Sequence, residues 1–167
     1  MIDHISLATC DMEATRRFYE DKLGFSSVIH ETIELAEGGL VDHQFFDCGA
    51  GCAIAFMHWR DVDGVPIKLG QGNHAAFGFP PGTFHFAFRC ETYEALIYRR
   101  NELEAKGIAV GPVIDLNPYQ SFFFDDPNGY RLEYTTRLSQ PSAEDRDPEK
   151  RRIRLSLNDF YDPIGKQ

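Results

Sequence analysis

The stretch Phe122-Phe123-Phe124-Asp125-Asp126-Pro127-Asn128-Gly129-Tyr130-Arg131-Leu132-Glu133-Tyr134 decides how this chain is read. Two aromatic and apolar runs flank Asp126-Pro127-Asn128-Gly129, which has the chemistry of a tight turn: Pro127 fixes one φ angle and Asn128-Gly129 accepts positive φ. The spacing predicts a β-hairpin. Alternation along its second strand puts Tyr130, Leu132 and Tyr134 on one face and Arg131, Glu133 and Thr135 on the other. Glu133 is then a carboxylate on a rigid strand among aromatic residues. A carboxylate taken out of water needs a cation or hydrogen-bond donors.

Upstream of the hairpin, the same order of elements occurs twice. Ile2 to Thr9 reads as a strand containing His4, followed by a helix from Met12 to Leu23 with Asp11 as N-cap and Gly24 just past its end. Phe25 to Leu35, Val41 to Asp47 and Cys52 to His58 read as three further strands, separated by Glu37-Gly38-Gly39 and Gly49-Ala50-Gly51. In the second copy, Phe84 to Cys90 is a strand containing His85. A helix from Glu91 to Lys106 ends at Gly107, a short strand covers Val113 to Asp115, and the hairpin closes the unit. Each copy is a βαβββ module of an α+β fold, at about residues 1–58 and 84–137, joined by a Gly- and Pro-rich connection over residues 59–83.

The repetition extends to single residues. Setting His4 against His85 also sets Leu7 against Phe88 and Ala14 against Ala95. Setting Gly51 against Gly129 places Ile54 opposite Leu132 and Ala55 opposite Glu133. An internal repeat of this kind fixes architecture, and here it makes His4 and His85 equivalent positions. Beyond residue 137, Ser139 to Glu149 has linker composition. Ile153, Leu155 and Leu157 then alternate, so the tail over residues 138–167 is an edge strand, a cover for a partner subunit, or a solvated end.

The 167 residues fit one domain or two small modules. Their 43% hydrophobic and 13% aromatic content, with 14 Phe, suits a core plus an apolar pocket or interface. A net charge of −9 argues against nucleic acid or an anionic membrane surface as partner. The basic cluster from Lys150 to Arg154 is the one exception, and it sits among acidic residues. No apolar run reaches the roughly 20 residues of a membrane span, and no secretion signal opens the chain. Cys10, Cys48, Cys52 and Cys90 have no paired spacing and read as free thiols of a cytoplasmic protein. There is no dinucleotide fingerprint, P-loop, nucleophile elbow or Cys-rich zinc pattern.

The chain resembles the vicinal oxygen chelate superfamily, which contains glyoxalase I, the extradiol ring-cleaving dioxygenases and the bleomycin resistance proteins. The resemblance rests on Asp3-His4-Ile5, on Arg17-Phe18-Tyr19 through Leu23-Gly24-Phe25, on Phe84-His85-Phe86-Ala87-Phe88, and on Asp126-Pro127-Asn128-Gly129 through Glu133. It spans about residues 1–137. It implies two modules forming a half-open mixed barrel around a divalent metal, with His4, His85 and Glu133 as ligands. Two imidazoles and one carboxylate on separate strands leave open positions for substrate oxygens. Ala55 stands where glyoxalase-like members supply a fourth ligand. Three ligands favour iron(II), with manganese, nickel, zinc or cobalt as other occupants.

These features lead to an expected iron(II) dioxygenase of the ring- or C–C-cleaving type, acting on a small molecule with adjacent oxygens. Phe123 departs from that pattern, because it stands where such enzymes place a Tyr. The alternatives are a glyoxalase- or epimerase-like lyase or isomerase, and a metal-free small-molecule-binding protein of the resistance type. His74 and His43 are the acid–base candidates. Phe45, Phe56, Phe123 and Tyr119 are the substrate-facing candidates, and a homodimer is the expected assembly.

Overall fold

The computed structural model describes residues 2–66, 68, 77–149, 156 and 164. The chain divides into two compact units, Met1–Gly72 with Asp126–Gly129, and Asn73–Asp125 with Tyr130–Gln167. Each unit contains one module of the repeat, with its own open four-stranded mixed sheet, and the α+β class follows from this.

In the first unit, β1 (His4–Thr9) leads into helix α1 (Met12–Arg16), which continues as a π-helical segment over Arg17–Lys22. Asp11 caps α1 as its spacing predicts, with Oδ1 accepting the Ala14 N–H at 2.9 Å. Gly24 ends it at φ +75°. The strands β2 (Ser26–Glu34), β3 (Leu40–Gly49) and β4 (Cys52–Arg60) complete a sheet of order β1-β4-β3-β2. Here β1 runs parallel to β4 and the remaining pairs are antiparallel. The border strand β2 is exposed along its whole length.

The second unit repeats the plan. A 3₁₀ turn (Pro81–Thr83) precedes β5 (His85–Arg89). Helix α2 (Tyr93–Ala105) follows, with the Thr92 hydroxyl accepting the Ala95 N–H at 3.1 Å. Then come β6 (Ile114–Asp115), β7 (Tyr119–Asp125) and β8 (Arg131–Arg137), in a sheet of order β5-β8-β7-β6. The β7–β8 hairpin is the one the opening stretch predicts. The Gly129 N–H closes the turn on the Asp126 carbonyl at 3.0 Å, and Gly129 takes φ +80°, a conformation costly for any residue with a Cβ.

That turn is buried and polar. Asn128 donates to both Asp126 carboxylate oxygens, through its backbone N–H at 2.8 Å and its amide at 3.0 Å. The Tyr19 hydroxyl donates to Asp126 at 3.1 Å, and the Thr9 hydroxyl donates to Asn128 Oδ1 at 2.8 Å. The tetrapeptide groups with the first unit for this reason.

Each sheet packs one face on its helix. In the first unit Tyr19 lies 5.4 Å from the Phe46 ring and 4.9 Å from the Phe56 ring, all three fully buried. In the second, Leu96 and Leu103 of α2 are fully buried with Phe122, Phe124 and Leu132 of β7 and β8. The four cysteines are free thiols. Among the described residues, no helix is long and apolar enough to cross a membrane.

The helix-packed face corrects one sequence expectation. Phe56 pairs with Gln44 and Leu7 in register, so it shares the face of Phe46 and Ile54 and not that of Phe45. With its ring against Tyr19, it is a core residue and presents no surface to a ligand. His74 and the alternating tail residues Ile153, Leu155 and Leu157 lie outside the described residues. The Ser139 to Glu149 segment contains a 3₁₀ turn at Glu144–Arg146, as its linker composition allows. Phe56→Ala should lower unfolding free energy by about 3–5 kcal/mol in urea titrations. Phe45→Ala, removing a half-buried ring on the other face, should cost clearly less.

Candidate functional site

The face of each sheet opposite its helix collects the chemically active side chains. On the second sheet, register sets His85 beside Arg131, Ala87 beside Glu133 and Phe123 beside Glu133. Glu133 is 7% exposed. The Nε2 atom of His85 lies 2.9 Å from Glu133 Oε2, and Nδ1 lies 2.9 Å from the Gly82 carbonyl oxygen. Both ring nitrogens thus face oxygen acceptors, a geometry that a neutral imidazole satisfies at one end only. The Glu133 carboxylate holds the His85 pKa above its ordinary 6.5; burial works against this and the Gly82 carbonyl adds to it. The ring also stands edge-on to Phe123, 5.5 Å between centroids.

The first sheet has the corresponding arrangement. Register sets His4 beside Ala53, Ser6 beside Ala55 and Phe45 beside Ala55. The His4 and Phe45 rings meet edge-on at 5.2 Å, as those of His85 and Phe123 do. Ala55 thus stands in the place of Glu133. With no acid there, His4 Nδ1 pairs with the exposed Asp3 carboxylate at 2.8 Å.

Further along β3, on the same face, His43 is 7% exposed and its ring lies 4.3 Å from that of Phe45. Tyr119 shares the Glu133 face two ladder positions from Phe123, exposed and beneath the Arg137 guanidinium at 5.7 Å. Tyr134 is on the helix-packed face and so points away from Glu133.

Within each unit, among the described residues, no three His, Cys, Asp or Glu side chains gather to hold a metal. What the second unit offers is one imidazole nitrogen directed at one buried carboxylate. That donor set fits a divalent cation, which would displace the proton shared by His85 Nε2 and Glu133, while Gly82 orients the ring from behind. Arg131 is a neighbour that sequence reading does not single out. It is 6% exposed, with Nε 2.6 Å and Nη2 3.2 Å from the two Asp125 oxygens, and its Nη1 is buried without a hydrogen-bond partner. The signal for it was the placement of Asp125 and Arg131 directly across the hairpin from each other.

A family model for the Glyoxalase/Bleomycin resistance protein/Dioxygenase superfamily matches residues 1–134. The chain belongs to this superfamily. No curated protein is similar enough to count as a relative. Among solved structures, it is similar to a glyoxylase/bleomycin resistance protein/dioxygenase domain from Frankia sp. EAN1pec, at 18% identity and TM-score 0.62 over 82% of this chain and 91% of that one. A lactoylglutathione lyase from Agrobacterium tumefaciens matches at 21% identity and TM-score 0.54, over 81% and 92%. TnmS3, an antibiotic binding protein from Streptomyces sp. CB03234, matches at 17% and 0.56, over 82% and 95%. At these identities the likeness is one of fold.

Because the folded pKa of His85 is raised, its ion pair stabilises the metal-free protein fully below the unfolded pKa and is lost as pH rises through the folded value. NMR titration of His85 in metal-free protein should give a midpoint above 6.5. Glu133→Gln should bring that midpoint down and remove the accompanying pH dependence of stability.

Proposed function

We propose that this chain is a divalent-metal-dependent enzyme acting on a small substrate with two adjacent oxygens. His4, His85 and Glu133 are its metal ligands in this reading, and iron(II) is the favoured metal. The observation that carries the proposal is His85 Nε2 directed at the buried Glu133 carboxylate, with Nδ1 fixed by the Gly82 carbonyl. A strand histidine held from behind and aimed at a buried acid has the support that metal-binding imidazoles receive. The equivalent placement of His4, with the same edge-on phenylalanine, supports its inclusion.

Ala55 at the position equivalent to Glu133 leaves three protein ligands, and this favours oxygenative ring or C–C cleavage over glyoxalase-like lyase or isomerase chemistry. When bound, the metal supplies Lewis acidity and a template for the two substrate oxygens. Phe123 and Phe45 offer ring edges and faces to an aromatic substrate but no hydrogen bond, so oxyanion assistance must come from other groups. Tyr119 carries a phenolic hydroxyl on the Glu133 face. His43 and His74 are the candidates for proton transfer.

A second reading is also supported by an observation. His85 and Glu133 satisfy each other without a metal, and among the described residues neither unit gathers three donors by itself. A metal-free small-molecule-binding protein fits those facts, and the similar TnmS3 is an antibiotic binding protein.

Metal analysis of protein purified without oxygen separates the readings. Stoichiometric iron is expected. Nickel, zinc or cobalt would move the assignment to lyase chemistry, and no bindable metal would leave the binding module. His85→Ala and Glu133→Gln should each abolish stoichiometric metal binding while the circular dichroism spectrum and cooperative melting persist. Full occupancy in either variant would end the ligand assignment. Ala55→Glu, placing a carboxylate at the equivalent position, should change metal preference or coordination number.

A further inference from the structure

The β3–β4 turn carries two thiols that the proposed function does not use. The ladder pairs Asp47 with Ala53, passes over Cys48, and resumes with Gly49 beside Cys52. A bulge of this kind sets two residues of one strand opposite one of the other. Cys48 thereby faces Cys52 across the hairpin, within the roughly 7 Å between Cα atoms that a disulfide spans. The Cys48 thiol donates to the Cys52 carbonyl at 3.0 Å. Burial, and then the Cys52 thiol beside it, push the Cys48 thiol up to about 11. Between the two cysteines, Gly49, Ala50 and Gly51 take φ values of +96°, +54° and +72°. Left-handed residues in succession fold the chain tightly back, and Ala50 holds that conformation at the cost its Cβ imposes. All three turn residues are exposed, and Cys48 and Cys52 are partly exposed, so a small reagent reaches both sulfurs from solvent.

We propose that Cys48 and Cys52 are a modification site that closes into a reversible internal disulfide when the protein meets a small-molecule disulfide. The Cys52 thiolate attacks one sulfur of the reagent, the reagent's S–S bond breaks, and its other half leaves as a thiolate that takes up a proton. Cys48 then releases its thiol proton to water and attacks the Cys52 sulfur. The mixed S–S bond breaks and the second half of the reagent leaves, again taking up a proton. The cysteine pair loses two hydrogens and the reagent gains them. The order follows from the surroundings of the sulfurs. A thiol held at high pKa, with its proton on a carbonyl, is mostly protonated at neutral pH, so Cys48 reacts second. Once Cys52 is in the mixed disulfide it carries no charge, and the part of the Cys48 shift that its charge causes is gone. In a reducing compartment such a bond is transient, formed under oxidation and reopened by thiols. The proposal is independent of the metal reading.

The test incubates reduced full-length protein with oxidised glutathione near neutral pH, quenches in acid, alkylates the remaining thiols and digests with trypsin. Cys48 and Cys52 share the peptide from Leu23 to Arg60, which holds no other cysteine, so a loss of two hydrogens there identifies the link. That loss is expected, and dithiothreitol should reverse it. Cys48→Ser is expected to stop at a lasting glutathione adduct on Cys52. Cys52→Ser should form an adduct on Cys48 several-fold more slowly. A loop this short also closes in an unfolded chain, so the closure equilibrium is compared in native buffer and in urea. The fold is expected to favour closure several-fold. Equal closure in the two states would overturn the proposal. So would a native peptide that keeps both thiols or holds only adducts, or a link between two chains. The measurement on the unaltered protein decides even if a serine variant fails to fold, which circular dichroism would show.

Discussion

A carboxylate that is 7% exposed needs a cation or hydrogen-bond donors, and the second sheet is arranged around that need at Glu133. Strand alternation turns the side chain away from the α2-packed face, and register sets β5 beside it. The first residue of β5 then supplies the imidazole, with Gly82 at the preceding 3₁₀ turn fixing the ring's other nitrogen. Removing any one of these leaves a buried charge or an unpaired nitrogen. The strand order, the loop entering β5 and the aromatic wall of β7 all serve the same electrostatic requirement.

The two sheets express one plan with different side chains. In both, a histidine opens the first strand, a phenylalanine crosses its ring edge-on, and the residue in register with that phenylalanine decides the local chemistry. In the second sheet that residue is Glu133, and histidine and acid close on each other. In the first it is Ala55, and His4 turns to the exposed Asp3 while the polar pairing moves down the strand to His43 and Glu31. Duplication thus preserved the backbone and ring geometry while the charge was redistributed.

Much of this was readable in the residues. Asp11 and the cap glycines bounded the helices, the Asp126 to Gly129 turn set the hairpin, and alternation put Glu133 on the correct face. The placement of Ala55 opposite Glu133 already implied that Phe56, one residue on, points to the helix side as Tyr134 does. Phe56 therefore belongs to the core and not to the substrate-facing side chains. Other features have no local signal. The π-helical segment Arg17–Lys22 has no marker in the residues; it carries Tyr19, buried against Phe46 and Phe56 of distant strands. The His43 and Glu31 pairing follows from the register set at the β2–β3 turn, unbroken from Glu34 and Leu40 to Ile29 and Phe45, and it requires the exact turn length to be known. The bond from His85 to the Gly82 carbonyl is made to backbone, so side-chain identity could not reveal it.

The exposure of β2 has a further implication for Glu31. A nine-residue strand that borders its sheet among the described residues, bearing Val28, Ile29 and Ile33 at the surface, is a template for unwanted pairing with other chains. Glu31 and Glu34 are the charges that discourage such self-association. A substitution at Glu31 therefore acts on colloidal behaviour as well as on the hydrogen bond to His43.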